Sequence, residues 1–208
     1  MVGAMKRLRR DQIRPRNWSN VELAAVAREF SGAVINVSGW LDEDKIGKHY
    51  RDYFTQASEY CISNFCGEHG ATGRPEEIFI DLEGDIPDAL RRRFQVAFNH
   101  TVLEHVYDIH RAVANICALS DDTVILVTPF LQQVHYADGS YGDYWRPTPM
   151  CLEKMLAENG FQVVYQAAND NPWHIVYVLT IAMRDPRAHA SIPRRRLTEK
   201  VGETHFVN

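Results

Sequence analysis

Apolar and β-branched residues fall in short runs along most of the chain, and only a few stretches show the three-to-four spacing of an amphipathic helix. Ala33-Val34-Ile35-Asn36-Val37, ending at Ser38-Gly39, is too short for a helix and predicts a buried strand. Tyr60–Phe65, Glu77–Leu82, Phe94–Asn99, Thr123–Thr128, Phe161–Ala167 and Ile175–Met183 read the same way. Three helices are predicted. One covers about 20–30, where Ser19 and Glu22 form a capping-box pattern ahead of Val21, Leu23, Ala24, Val26 and Ala27. The second covers 102–119, where Leu103, Val106, Ile109, Val113 and Ile116 share a face. The third opens at Thr148-Pro149 and closes at Gly160. Residues 42–57, polar with aromatic insertions, are expected to be irregular and then helical.

Strands apolar on both faces and alternating with helices imply an α/β three-layer sandwich around a mostly parallel, Rossmann-like sheet. The last two strands, joined by Asn169-Asp170-Asn171-Pro172, have no helix between them and should form an antiparallel hairpin. Ligands bind such sheets beyond the carboxyl ends of the strands. That rule selects the loops after Val37, Phe65, Leu82, Asn99 and Thr128.

The 208 residues suit a single domain at 17–183 between basic tails at 1–16 and 184–208. The net charge of −4 hides the contrast: the tails carry +5 and +3, the body −12. An acidic body lacks the basic face that nucleic acid requires. No apolar run approaches the roughly 20 residues of a membrane span, and the amino terminus has no signal-peptide core. A cytoplasmic protein without nucleic-acid or membrane partners is expected. Cys61, Cys66, Cys117 and Cys151 form no CxxC pair; Cys61 and Cys117 sit in apolar segments as buried small hydrophobes.

Two segments carry a resemblance. Phe94-Gln-Val-Ala-Phe-Asn-His-Thr-Val-Leu-Glu-His-Val-Tyr-Asp resembles the fourth strand and following helix of class I S-adenosylmethionine-dependent methyltransferases. Val127-Thr-Pro-Phe, His135, Asp143-Tyr-Trp-Arg-Pro-Thr and Glu158-Asn-Gly-Phe resemble that family's fifth strand, acceptor-side loop and last helix. The resemblance spans about 30–183, is more specific in its later half, and implies strand order 3-2-1-4-5-7-6 with S-adenosyl-L-methionine as cofactor. The family's glycine-rich turn after the first strand is reduced here to Gly39, followed by the bulky Trp40.

By this resemblance the cofactor meets Asn36, Ser38, Gly39, Asn64, Asp81, Leu82, Asn99 and His100. At the position of the usual ribose-binding acid stands Asn64, an amide without the charge. Asp81 either lies near the adenine at the end of the third strand or, with Glu83, supplies the acidic strand end itself. His100 lines the pocket, and Asn99 orients an acceptor or merely satisfies the next loop. Glu104 and His105 belong to the same motif, with a structural pairing at the helix start as the competing role. His100, His105 and His110 recur every five residues, which on a helix sets them about 140° apart, so no metal is expected.

The loop Leu131–Pro147, about 17 residues long, is rich in aromatic and ionisable side chains. His135 and Asp143 are the candidate catalytic proton acceptors, and Tyr144, Trp145 and Arg146 the candidate substrate-binding residues. Alternatively, Asp143 and Arg146 brace the loop while Tyr144 and Trp145 pack within it. The expected function is methyl transfer to a small-molecule or saccharide acceptor. The alternative is a degenerate methyltransferase fold that acts as a binding or scaffold protein.

Overall fold

The computed structural model describes residues 15–65, 70, 72–75, 77–169 and 176–198. Its seven strands are β1 (Ser31–Asn36), β2 (Gln56–Asn64), β3 (Glu77–Phe79), β4 (Phe94–His100), β5 (Ser120–Pro129), β6 (Gln162–Ala168) and β7 (Tyr177–Met183). They form one sheet in the order β3-β2-β1-β4-β5-β7-β6. Neighbours from β3 to β5 run parallel, and β7 runs antiparallel to both β5 and β6.

The period of two along the strands divides the core. In β5, Val124 and Leu126 face the layer of α2 (Ile109–Leu119) and α3 (Pro149–Glu158), with Val113, Ile116, Leu152 and Leu156. Ile125 and Val127 face the other layer, built from α1 (Pro15–Ala27) and the segment around Tyr50 and Phe54. Burial on both faces explains why these strands read as continuous apolar runs. Cys61 and Cys117 are buried in this core as expected, Cys151 is exposed, and Cys66 lies outside the described residues.

Three local expectations are corrected. The first helix opens at Pro15, whose missing N–H is no loss in a first turn. Ser19 is therefore no cap: it is buried one turn inside, and its hydroxyl donates to the Arg16 carbonyl at 3.0 Å. The helix expected over 102–119 is broken. A 3-10 turn at Leu103–His105 precedes α2, whose start is fixed by the Asp108 carboxylate accepting from the Arg111 N–H at 3.0 Å. Residues 42–57 hold a single 3-10 turn, Tyr50–Asp52, and no α-helix. The third helix is as read, with Thr148 accepting from the Cys151 N–H and Gly160 in the left-handed region at φ +79°.

The chain ends are less detached than their charge suggests. Residues 1–14 and the turn residues Asp170–Pro172 lie outside the described residues, but Arg16 belongs to α1. The described residues from Arg184 onward pack on the body. The Arg184 guanidinium donates to the carbonyls of Cys117, Ser120 and Asn159, and the backbone of Arg195 pairs with Val164 and Gln166 along β6. With Ile192 and Leu197 buried, this segment covers a sheet edge that would otherwise stay open.

Candidate functional site

The parallel strands point their carboxyl ends at one cleft of about 790 Å³. Its first wall is the turn after β1. Ser38, Trp40 and Asp42 have φ of +56°, +47° and +63°, so the chain twists tightly where a helix usually begins. Four of the five backbone N–H groups from Ser38 to Asp42 are used internally. Ser38 donates to the Ser63 hydroxyl, Gly39 to the Ser63 carbonyl, Trp40 to the Asn64 side-chain oxygen and Asp42 to the Gly39 carbonyl. Gly39 is required by a close approach: a Cβ there would lie 2.5 Å from the Asn36 amide nitrogen.

Two fully buried carboxylates hold the irregular segment that follows. Asp42 accepts from the Asn36 amide and the Tyr60 hydroxyl, both at 2.7 Å, and from the Arg51 N–H at 3.0 Å. Asp44 accepts from the Tyr53 hydroxyl at 2.6 Å and from the N–H groups of Ile46 and Lys48. Burial pushes the Asp44 carboxyl up, but these hydrogen bonds outweigh it and hold it below the ordinary value.

Among the expected cofactor residues, Asn36, Ser38, Gly39, Asn64, Asp81, Leu82 and His100 line this cleft, and so does Trp40, which forms wall rather than plug. Asn64 is largely spent on structure. Its oxygen accepts from the Trp40 N–H, while its amide nitrogen donates to the Trp40 carbonyl and to Glu77. Asp81 accepts from the Glu83 N–H at 2.8 Å through one oxygen, which leaves the other without a partner among the described residues. Asn99 is not in the lining: fully buried, it donates to the Val37 carbonyl at 2.8 Å and ties β4 to the end of β1.

His100 is buried against α1. Its ring nitrogens lie 2.6 Å from Arg16 Nη1 and 3.0 Å from the Ser19 hydroxyl, and burial followed by the Arg16 charge holds its pKa well below the ordinary value. Arg16 also donates to the Tyr50 hydroxyl and lies over the Tyr177 ring. Counted with the tail from the sequence, Arg16 is part of the cleft wall, together with Lys45 and Tyr50. No local signal marked it, because the contact joins residues 84 positions apart.

At the far end the loop after β5 folds over the residues that follow β4. His135 and Tyr144 line the cleft with Tyr141 and Gly142; Asp143, Trp145 and Arg146 do not. Both Asp143 oxygens are taken by Arg146, at 2.5 and 2.7 Å. Those bonds from Arg146 hold the carboxyl at about 2, which makes it a poor proton acceptor. Asp143 and Arg146 thus brace the loop, and Trp145 anchors it by donating from Nε1 to the Tyr107 carbonyl.

The same fold brings Glu104, His105 and His135 together, with one donor atom of each lying within 4.8 Å of the others. Spacing along a helix argues against a metal shared by His100, His105 and His110. It says nothing about a ligand arriving from another loop, which is how this grouping arises.

No family model and no curated protein sequence matches the chain. Solved structures do. An S-adenosylmethionine-dependent methyltransferase from Mesorhizobium loti aligns at TM-score 0.58 and 12% identity, over 81% of this chain and 98% of that one. The 1,6-didemethyltoxoflavin-N1-methyltransferase of Burkholderia thailandensis, solved with 1,6-didemethyltoxoflavin and S-adenosylhomocysteine, aligns at TM-score 0.54 and 13% identity, over 79% and 77%. Magnesium protoporphyrin IX methyltransferase from Synechocystis, solved with bound S-adenosylmethionine, aligns at TM-score 0.50 and 14% identity, over 82% and 78%. With its seven strands in the order 3-2-1-4-5-7-6 and the antiparallel pair at one end, the chain has the fold of the class I S-adenosylmethionine-dependent methyltransferases.

Proposed function

We propose that the chain is an S-adenosylmethionine-dependent methyltransferase acting on a small-molecule or saccharide acceptor. The observation that carries this is the continuous cleft of about 790 Å³, which runs from the turn at Gly39 and the tip of β3 to the loop at Tyr141–Tyr144. Its volume falls in the range of small-ligand sites, about 300–1,000 Å³, and it has space for two ligands end to end. The small acceptor and spent cofactor held together by the Burkholderia thailandensis enzyme support the same division.

The residues present suit the cofactor, with a rearranged set of contacts. Asp81 offers a free carboxylate oxygen to the hydrogen-bond donors of the nucleoside end, beside the apolar Ile80 and Leu82. Because the turn after β1 uses most of its own N–H groups, Arg16 and Lys45 would take the cofactor's carboxylate. When bound, the cofactor supplies a methyl group already attached to a sulfonium leaving group. What remains for the chain is alignment and exclusion of water, which the aromatic wall of Trp40, Tyr141 and Tyr144 provides.

The internally satisfied turn and the uncharged Asn64 also favour a second reading, a binding or scaffold protein that has lost the cofactor. Calorimetry separates the two. Saturable micromolar binding of S-adenosylhomocysteine, weakened at least about tenfold by Asp81→Ala through loss of a charge-assisted bond, is the expected result. An absence of heat at millimolar cofactor overturns the methyltransferase reading in favour of the scaffold.

A further inference from the structure

Glu104 is fully buried, and neither of its carboxylate oxygens has a hydrogen-bond partner among the described residues. Asp42 and Asp44, equally buried, are bonded on every side. A buried ion without a partner costs several kcal/mol, so a position like that of Glu104 implies a missing cation or proton.

The neighbouring imidazoles supply the further donors that a cation would need. His105 Nδ1 lies 2.6 Å from the Gly142 carbonyl, which only accepts. The proton is therefore on Nδ1, and the lone pair of Nε2 stands 3.7 Å from a Glu104 oxygen. Two electron-rich atoms facing each other in a buried site repel unless something positive lies between them. The His135 ring packs on that of His105 at 4.9 Å between centroids. It is held from behind by Asp143, whose Oδ2 accepts from the His135 backbone N–H at 2.7 Å and lies 3.3 Å from Nδ1. The carbonyl behind His105 matches the outer-shell support that metal-binding imidazoles receive. Asp143 fixes His135 through its backbone and leaves the buried ring Nδ1 without a hydrogen bond among the described residues.

We propose that Glu104, His105 and His135 form a mononuclear site for a divalent transition-metal ion. Two imidazoles and one carboxylate suit Zn²⁺, Fe²⁺ or Mn²⁺ better than Ca²⁺ or Mg²⁺, which prefer oxygen alone. Ligand atoms around such an ion, at about 2.0–2.2 Å from it, lie roughly 3.4 Å apart. An ion would therefore draw this group, now within 4.8 Å, inward by about an ångström. Three protein ligands leave coordination positions open, and all three residues line the cleft. The consequence for function rests on the methyltransferase reading: the ion would orient an oxygen of the acceptor at the end of the cleft away from Gly39.

The test is metal titration of the chelator-stripped full chain with no cofactor present. One equivalent of Co²⁺, seen by its visible d–d absorption and displaced by Zn²⁺, is expected. His135→Ala and Glu104→Gln should each weaken binding at least about tenfold. His110→Ala, a change at an exposed histidine on α2, should leave it unaltered, and circular dichroism should show all three variants folded. Failure to take up any of Co²⁺, Zn²⁺ or Mn²⁺ stoichiometrically would overturn the site, as would uptake that survives both ligand substitutions. Cofactor calorimetry on the stripped protein is independent of this result, so failure of the metal site and failure of the methyltransferase reading are told apart.

Discussion

The two ends of the cleft are built on opposite plans. At the β1 end, the N–H groups of Ser38, Gly39, Trp40 and Asp42 are answered by other protein groups, and the buried Asp42 carboxylate accepts from three different residues. At the far end, Glu104 has two oxygens unanswered among the described residues, His105 turns a lone pair toward them, and its other ring nitrogen is bonded to the Gly142 carbonyl behind it. A carboxylate that the protein satisfies itself serves the fold. One buried with neither oxygen answered carries a far larger cost than a neutral atom in the same state, and that cost points to something that binds.

Substitutions can break that contrast. The largest loss of stability is expected from Asp42→Ala, which strands buried donors on Asn36 and Tyr60 and lowers the unfolding free energy by about 3 kcal/mol, as read from urea denaturation. Gly39→Val comes next. Its branched side chain would have to displace the Asn36 amide and with it the bond to Asp42, a cost of about 2 kcal/mol, with weaker S-adenosylhomocysteine binding in the same protein. The smallest effect, and the one that sharpens the comparison most, is Glu104→Gln. In metal-free protein at pH 8 it should raise the unfolding free energy by about 1 kcal/mol, because an unpaired buried charge is removed and no hydrogen bond is lost. Destabilisation comparable to that of Asp42→Ala would mean that Glu104 is a structural residue like the other two.

Much of the fold was legible because its signals are local. The central strands β4, β5 and β7 follow from apolar runs buried on both faces, and Thr148, Pro149 and Gly160 mark the ends of α3 correctly. The amphipathic pattern over 102–119 was also real, since Leu103, Ile109, Val113 and Ile116 are all buried. Yet the pattern reads straight through the break before Asp108, because a 3-10 turn and an α-helix bury residues at similar spacing. That error matters for the site. It places Glu104 and His105 on a regular helix, whereas the turn sets them over the cleft. Strand tips, by contrast, are set by topology, and seven of the eight residues expected to meet a cofactor line the cleft.

Hydrophobic periodicity determined the layered sheet and the edge at which a ligand would sit, because burial of alternating side chains depends only on near neighbours in the chain. Which polar groups face one another at that edge was decided by the tertiary structure alone. Arg16 reaches His100, and His135 reaches His105, only after strands distant in sequence lie side by side. Loop closure over such separations carries no period or composition by which it can be recognised beforehand.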